Sequence, residues 1–428
     1  MSSAKITLWD TLIGYIAWDQ KQSTAVFESS EAYLDAPFNI APIIQPNKRE
    51  FLIGHDFHDK FQGMVPTFYD TLPDAFGNVI FKEWLEQMNM DQSAMNPVER
   101  LLYIGKRGMG ALEYHYEKRV PSNKQKLDLE ELAQLSHKII QRKYAQKDYL
   151  HNPEALQNIL RIGASVGGAQ AKVLVAISRE TKQPNQRLLA GDIIHTIPVD
   201  YYIVKLAHDP KDLWNKEKHY VEYVYNAMAK DAGVAVADSR LIFEGGRAHF
   251  ASKRFDRIEH QKLHKQTVSA LAGFFGRNTE LGYESIFKIM EFLNLPYKDK
   301  MQLYTQMVFN VLASNRDDHT RNFSFLMDKQ GKWSLSPAYD LTFPFDPYQS
   351  FFMPHKISIN NKVKEINRND LKAIADKVGI VYYKEIIERV IEQVLSFPDR
   401  IKNYDVQKRT VDLIMRDIQK NLNHLFAS

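Results

Sequence analysis

Eight consecutive polar residues, Asn315-Arg316-Asp317-Asp318-His319-Thr320-Arg321-Asn322, interrupt two apolar stretches. Before them a helix-like run ends near Ala313-Ser314, and after them a strand-like run starts at Phe323. Such a segment reads as a loop held by the elements on either side. The pattern upstream differs from the pattern downstream. Ile6-Thr7-Leu8-Trp9 and Leu12-Ile13-Gly14-Tyr15-Ile16-Ala17 read as a hairpin, and Pro37, Pro42 and Pro46 punctuate an irregular stretch. A helix is expected after Leu72 to Gly77. Leu129, Leu132, Leu135, Ile139 and Ile140 recur at helical spacing over 128–148, with Asp128, Glu130 and Glu131 near the positive end of the helix dipole. A short helix from Pro153 to about Leu160 follows.

Lys172 to Ile177 and Tyr201 to Leu206 read as strands, and 213–231 as a helix. Ser239 to Glu244 and Ala248 to Phe255 pair around Gly245-Gly246. The chain is helical from about 267 to 314. Phe323 to Met327 and Lys332 to Leu335 form a hairpin, and amphipathic helices fill 368–426. This order predicts an α/β (α+β) chain with a two-lobed, protein-kinase-like fold. A mixed α/β N-terminal lobe precedes a mostly helical C-terminal lobe. The expected divisions are an amino-terminal subdomain over 1–120, the rest of the N-lobe over 121–260, and a helical C-lobe over 261–428.

Composition narrows the function classes. The chain has 428 residues, 44% of them hydrophobic, enough to bury a large core. The net charge of +4 is mild, with both signs spread along the chain. A dedicated nucleic-acid binder shows a stronger, clustered excess. There are no cysteines, so disulfides and thiol catalysis are excluded. No stretch approaches the roughly 20 apolar residues of a spanning helix. The start, Met1-Ser2-Ser3-Ala4-Lys5-Ile6, has no uninterrupted apolar core, so a cytoplasmic location and no membrane partner are expected.

Phosphoryl transfer needs positioned charges more than covalent partners. A carboxylate must serve the hydroxyl, an amide oxygen and a second carboxylate must hold magnesium, and a cation must meet the phosphates of ATP. Arg316-Asp317, four residues, then Asn322 matches the spacing of the kinase pattern H-R-D-x-x-x-x-N, with Asn315 in place of His. The same string also fits a polar turn in which Asn322 or Asp318 makes a local cap. Asp340 follows the next hairpin, where a kinase keeps its second magnesium ligand, although Phe and Gly of D-F-G are absent. Lys205 ends an apolar strand, and Glu222 on the next helix is its candidate ion-pair partner. Gly163-Ala164-Ser165-Val166-Gly167-Gly168, with Lys172 beyond it, offers an amide-rich turn that matches neither G-x-G-x-x-G nor the P-loop. His55, Asp56, His58 and Asp59 match no metalloenzyme spacing and read as a surface loop.

Taken together these residues resemble the HipA-like serine/threonine kinases, the toxins of bacterial HipBA-type toxin–antitoxin pairs. Asp70-Thr71-Leu72-Pro73-Asp74-Ala75-Phe76-Gly77 resembles the family's D-S-L-P-D-x-[WF]-G segment. Arg107-Gly108-Met109-Gly110-Ala111-Leu112-Glu113-Tyr114 resembles R-G-x-G-A-L-x-Y, and Ile162 to Lys172 resembles I-G-x-S-x-G-G-A-x-x-K. Lys253-Arg254-Phe255-Asp256-Arg257 resembles the hinge strand E-R-F-D-R. Asn315 to Ser324 and Pro337 to Leu341 resemble N-x-D-[DG]-H-x-[KR]-N-[FW]-S and P-A-Y-D-L.

The resemblance implies that Asp317 is the catalytic Asp, supported in its loop by Arg316 and His319, and that Asn322 and Asp340 ligate Mg2+. It implies that Lys205 meets ATP phosphate and that the backbone from Lys253 to Phe255 meets adenine. Gly163, Ala164, Ser165, Val166, Gly167 and Gly168 would cover the phosphates. Lys253 stands where the family carries Glu. The family's usual target is an aminoacyl-tRNA synthetase. Its usual partner is a HipB-like helix-turn-helix antitoxin, through which it reaches DNA. A small-molecule phosphotransferase on the same scaffold and a catalytically silent co-repressor module are the rival readings. Ser165 falls where members phosphorylate themselves, and a phosphate there would repel ATP. Incubation with ATP and magnesium is therefore expected to add phosphate at Ser165; peptide mass analysis that finds none removes this expectation.

Overall fold

The computed structural model describes residues 2–44, 51–57, 59–73, 77–79, 81–82, 85, 95–115, 130, 132–134, 136–137, 170–180, 188–207, 209, 211–259, 261–274, 281–347 and 353–427. The chain forms two compact units. The first comprises Met1–Asp209, Ile242–Phe274 and Leu326–Lys332; the second comprises Pro210–Leu241, Phe275–Phe325 and Trp333–Ser428.

The first unit holds two five-stranded sheets. Strands β1 (Ser3–Leu8), β2 (Thr11–Asp19), β3 (Thr24–Ser29), β4 (Leu52–Ile53) and β5 (Leu112–His115) assemble in the order β4-β3-β2-β1-β5. The hairpin expected near the start is present, with Leu8 opposite Thr11. Its two turn residues, Trp9 and Asp10, both have positive φ, of 49° and 70°. That handedness suits the twist of a two-residue hairpin. Ala4, Ile6 and Leu8 alternate inward along β1. Helix α1 (Pro97–Ile104) packs on this sheet, started by Pro97 and by a reciprocal cap between Asn96 and Glu99.

The second sheet is built from β6 (Lys172–Ser178), β7 (Leu188–Ala190), β8 (Val199–Lys205), β9 (Ser239–Glu244) and β10 (Arg247–Lys253), ordered β7-β6-β8-β10-β9. Every residue of β6 is buried, as expected for a strand covered on both faces. Val173, Val175, Val204 and Ala251 join Leu132 and Ala133 in one apolar cluster. The described residues between 130 and 137 are helical, in line with the spacing there; the remainder of 128–148 and the whole of 153–160 lie outside the described residues.

Strand β10 stops at Lys253, two residues short of the expected end. The cause lies in the next residues. Asp256 is buried and accepts hydrogen bonds from Arg254 Nη2 at 2.7 Å, Arg257 Nη1 at 2.7 Å and the Gly110 N–H at 2.7 Å. Both guanidinium groups also donate to the Gly108 carbonyl, at 3.2 Å from Arg254 and 2.9 Å from Arg257. Burial would raise the Asp256 pKa, but the two arginines outweigh it and hold it below the usual range. Gly110 sits at φ +81°, a conformation that favours glycine, so R-G-x-G and R-F-D-R are two halves of one buried ion cluster.

The second unit is mostly helical. Helix α2 spans Leu213–Asp231, the range read from the sequence, and Asp212 caps its start by accepting from the Asn215 N–H at 3.2 Å. The run expected to be helical from 267 to 314 is broken. A short helix at Val268–Ala272 belongs to the first unit, and α3 (Tyr283–Phe292) and α4 (Tyr297–Leu312) belong to the second. The amphipathic end forms α5 (Arg368–Val378), α6 (Tyr383–Leu395), α7 (Phe397–Ile401) and α8 (Lys408–Phe426). Tyr225 of α2 lies edge-on to Phe309 of α4 and Phe397 of α7, and its hydroxyl donates to the Ala313 carbonyl at 2.8 Å. Among the described residues no helix is long and apolar enough to cross a membrane.

Two buried histidines of the first unit make stability depend on pH. Burial lowers both His249 and His264 from 6.5 to about 4. Between those values the unfolded chain binds protons that the folded chain does not, so stability falls as pH falls. The contribution is complete above pH 6.5 and is lost on the way down to about 4. About 3 kcal/mol per histidine is at stake. Urea unfolding of the wild type is expected to weaken over this window, and His249→Gln to flatten the slope; an equal slope in the variant contradicts the assignment.

Candidate active site

Helix α4 ends by a left-handed turn at Ser314, with φ 58°. The Asn315 N–H returns to the Asn310 carbonyl at 2.9 Å, and the polar loop leaves from there. Helix α8 holds this end of α4. Asn421 Nδ2 donates to the Val311 carbonyl at 2.9 Å and to Ser314 Oγ at 2.7 Å, while its Oδ1 accepts from Arg316 Nη2 at 3.2 Å. One turn earlier on the same face, Asp417 accepts from Arg316 Nη1 at 3.0 Å. The Arg316 guanidinium also lies 5.8 Å from the centre of the Phe345 ring. Burial pulls the Arg316 pKa down against the opposing pull of Asp417. Arg316 is therefore an anchor that fixes the loop to the carboxy-terminal helix.

The next two residues differ in depth. The Asp317 side chain is 33% exposed, whereas that of Asp318 is 0% exposed. Asn322 Nδ2 donates to the Asp317 carbonyl at 2.8 Å, the His319 N–H to the same oxygen at 2.9 Å, and the Asn322 N–H to the His319 carbonyl at 2.8 Å. His319 Nε2 stands 3.9 Å from Asp317 Oδ2. The loop is thus a tight knot with one carboxylate at its rim. Because the Asn322 amide nitrogen is turned to Asp317, its oxygen points the other way, the end a metal takes.

The segment that carries Asp340 is tied to the same loop through the preceding Tyr339. Ala338 forms a parallel bridge with Val236, its N–H donating to the Ala235 carbonyl at 2.8 Å. The Tyr339 hydroxyl donates to the Arg321 carbonyl at 2.7 Å and lies 2.5 Å from Ser324 Oγ. Asn226 of α2 donates to the Leu341 carbonyl at 3.3 Å. Between these fixed neighbours Asp340 has φ 59°, a conformation that costs a non-glycine residue of order 1 kcal/mol. Its carboxylate is half-buried. Among the described residues no three His, Cys, Asp or Glu form a metal cluster. Magnesium in phosphoryl transfer needs only one or two protein groups beside phosphates and water, and Asn322 with Asp340 supplies that donor type.

The cations expected at the phosphates belong to the first unit. Lys205 is buried, directly opposite Lys172 on β6 and Phe250 on β10, with Nζ 5.7 Å from the Phe250 ring centre. Glu222 is buried on α2 of the second unit. Lys253 pairs with Asp200 at 2.9 Å, and Arg179 Nη2 meets the same oxygen at 2.7 Å. Burial opposes the charge on Asp200, but these two cations outweigh it and lower its pKa. The Lys253 side chain is therefore engaged with Asp200. Phe255 lies in the turn after β10. Gly163, Ala164, Ser165, Val166, Gly167 and Gly168 lie outside the described residues.

Sequence reasoning did not single out Asp417 or Asn421, and it offered Asp318 only as a local cap, whereas its carboxylate accepts from the distant Tyr283, His355 and Lys356. Asp417 and Asn421 are four apart on α8, a spacing equally suited to a solvated face.

Two family models match the chain. The HipA N-terminal domain covers residues 4–115, and the HipA-like C-terminal domain covers 164–399, more than half of the chain by itself. A Haemophilus influenzae protein with a provisional kinase name is 22% identical over 236 residues, 47% of this chain and 68% of the relative. The Shewanella oneidensis serine/threonine-protein kinase toxin HipA is 25% identical over 193 residues, 39% of this chain and 44% of the relative. The solved Shewanella oneidensis complex of HipA, HipB and operator DNA contains a chain with TM-score 0.66 and 16% identity, covering 98% of this chain and 96% of that one. At that identity the likeness concerns the fold: a mixed α/β amino-terminal region and a mostly helical carboxy-terminal region.

Removing the loop anchor tests its weight. Arg316→Met leaves Asp417 without its buried partner and is expected to cost about 3 kcal/mol in urea unfolding. Adding Asp417→Leu is expected to recover most of that loss. A neutral single variant contradicts the anchoring role.

Proposed function

The chain belongs to the HipA-like family, and on that premise we propose that it is an ATP- and magnesium-dependent serine/threonine-protein kinase. The observation that carries the reading is the contrast within the polar loop. Arg316 and Asp318 are buried and hydrogen-bonded, while Asp317 between them keeps its carboxylate at the rim. A carboxylate held this way can orient a hydroxyl and accept its proton. Asn322 and Asp340 hold the metal, which when bound neutralises charge on the transferring phosphates. Lys205, backed by Glu222, meets the phosphates, and the backbone from Lys253 to Phe255 meets the adenine. The loop Gly163 to Gly168 covers the phosphates, and Ser165 within it is the site of self-inactivation.

The names borne by the relatives suggest the setting. One is a toxin, and the solved complex contains HipB and operator DNA. We extend both to this chain: a HipB-like helix-turn-helix antitoxin silences it and carries it to DNA. The protein substrate in this reading is an aminoacyl-tRNA synthetase, so unrestrained activity stops translation. The 1–120 segment serves partner or substrate docking, and the catalytic work falls to 121–260 and 261–428.

Asp317→Asn keeps the size and the neighbours of the side chain but removes its basicity. The expected result is a roughly 100- to 10,000-fold loss of phosphate transfer from ATP. Circular dichroism and the unfolding midpoint should be unchanged. Unimpaired transfer by this variant would sink the catalytic assignment.

A further inference from the structure

We infer that Asp318 is a positioning residue, which holds the Asp317 carboxylate in place through a buried relay from Asn315 to His355. The inference rests on the kinase reading for its effect on rate, and on geometry alone for its effect on the loop. The Asp318 side chain is fully enclosed. Its Oδ2 accepts from the Tyr283 hydroxyl at 3.2 Å and from His355 Nδ1 at 2.8 Å, and its Oδ1 accepts from the Lys356 N–H at 2.8 Å. A carboxylate only accepts, so His355 carries its hydrogen on Nδ1. Tyr283 in turn accepts from Asn310 Nδ2 at 2.9 Å, and Asn310 Oδ1 accepts from Asn315 Nδ2 at 2.9 Å. Burial and the neighbouring Asp318 charge push the Tyr283 pKa well up, so its hydroxyl stays a donor.

The relay closes a ring around the start of the loop. Asn315 is tied at one end, Asp318 at the other, and the two residues between them are Arg316 and Asp317. Turning Asp317 by rotation of its peptides requires Asp318 to leave three donors inside the protein. A buried charge left without donors is far more costly than an exposed one. Both remote partners are themselves fixed: the Tyr283 N–H donates to the Ser358 carbonyl at 2.9 Å, and the His355 N–H to the Val363 carbonyl at 2.9 Å. His355 lies beyond the Asp340 segment in sequence and carries no recognisable motif.

The test compares His355→Leu, which removes the donor, with His355→Asn, whose amide can replace Nδ1, and with Asp318→Gly. In the full chain, His355→Leu and Asp318→Gly are expected to lower kcat for magnesium-ATP turnover about 10- to 100-fold, a misplacement effect. KM for ATP should stay within about twofold. His355→Asn should return most of kcat. Independently of activity, amide exchange over 315–322 should rise in His355→Leu while α4 keeps its protection. Unchanged exchange there, or exchange rising equally through α4, overturns the inference. So does unchanged kcat in a folded His355→Leu chain, or failure of the Asn variant to recover it. A wild type without turnover refutes the kinase reading instead, and the exchange measurement still decides the positioning claim.

Discussion

A carboxylate sealed from water has to be met by donors, and Asp318 draws its three donors from two places in the second unit. Tyr283 comes from the start of α3, and His355 and Lys356 come from the segment after Asp340. The Arg316 guanidinium imposes the matching demand for acceptors, and α8 supplies them through Asp417 and Asn421. Two buried charges of opposite sign therefore flank Asp317 and are satisfied by different elements. The loop has few other ways to sit, and between the two enclosed side chains it leaves the Asp317 carboxylate partly exposed. Rigidity here serves placement: a reacting group must be held within a fraction of an ångström.

The first unit uses the same physics for another purpose. Asp256 and Arg254 are buried and Arg257 nearly so, and the three form a cluster that also hydrogen-bonds the backbone of Gly108 and Gly110. This joins the strand that ends at Lys253 to the segment before β5. The cluster is coupled enough that burial and Arg254 bring Arg257 down to about 10 despite Asp256. Removal of any one charge strands the others.

Local pattern carried far in this chain. The α2 boundaries were readable because a capping Asp212 precedes a sustained helical period, and β6 because an unbroken apolar run signals a doubly covered strand. What failed was non-local. Asp317 and Asp318 are identical by type and adjacent, and only depth separates them, set by His355 and Tyr283 from distant sequence. The segment from Lys253 to Arg257 reads as one strand, yet Arg254 and Asp256 turn inward because Gly108 and Gly110 await them. Lys253 finds its partner in Asp200, which no motif includes.

The claim on which the functional reading stands is transfer of the γ-phosphate of ATP to a protein hydroxyl. The direct measurement incubates the full chain with γ-labelled ATP and magnesium, then separates labelled phosphoamino acids from inorganic phosphate. The kinase reading requires label in phosphoserine or phosphothreonine, and none when Asp317 is Asn. Label confined to inorganic phosphate or to a small molecule contradicts it.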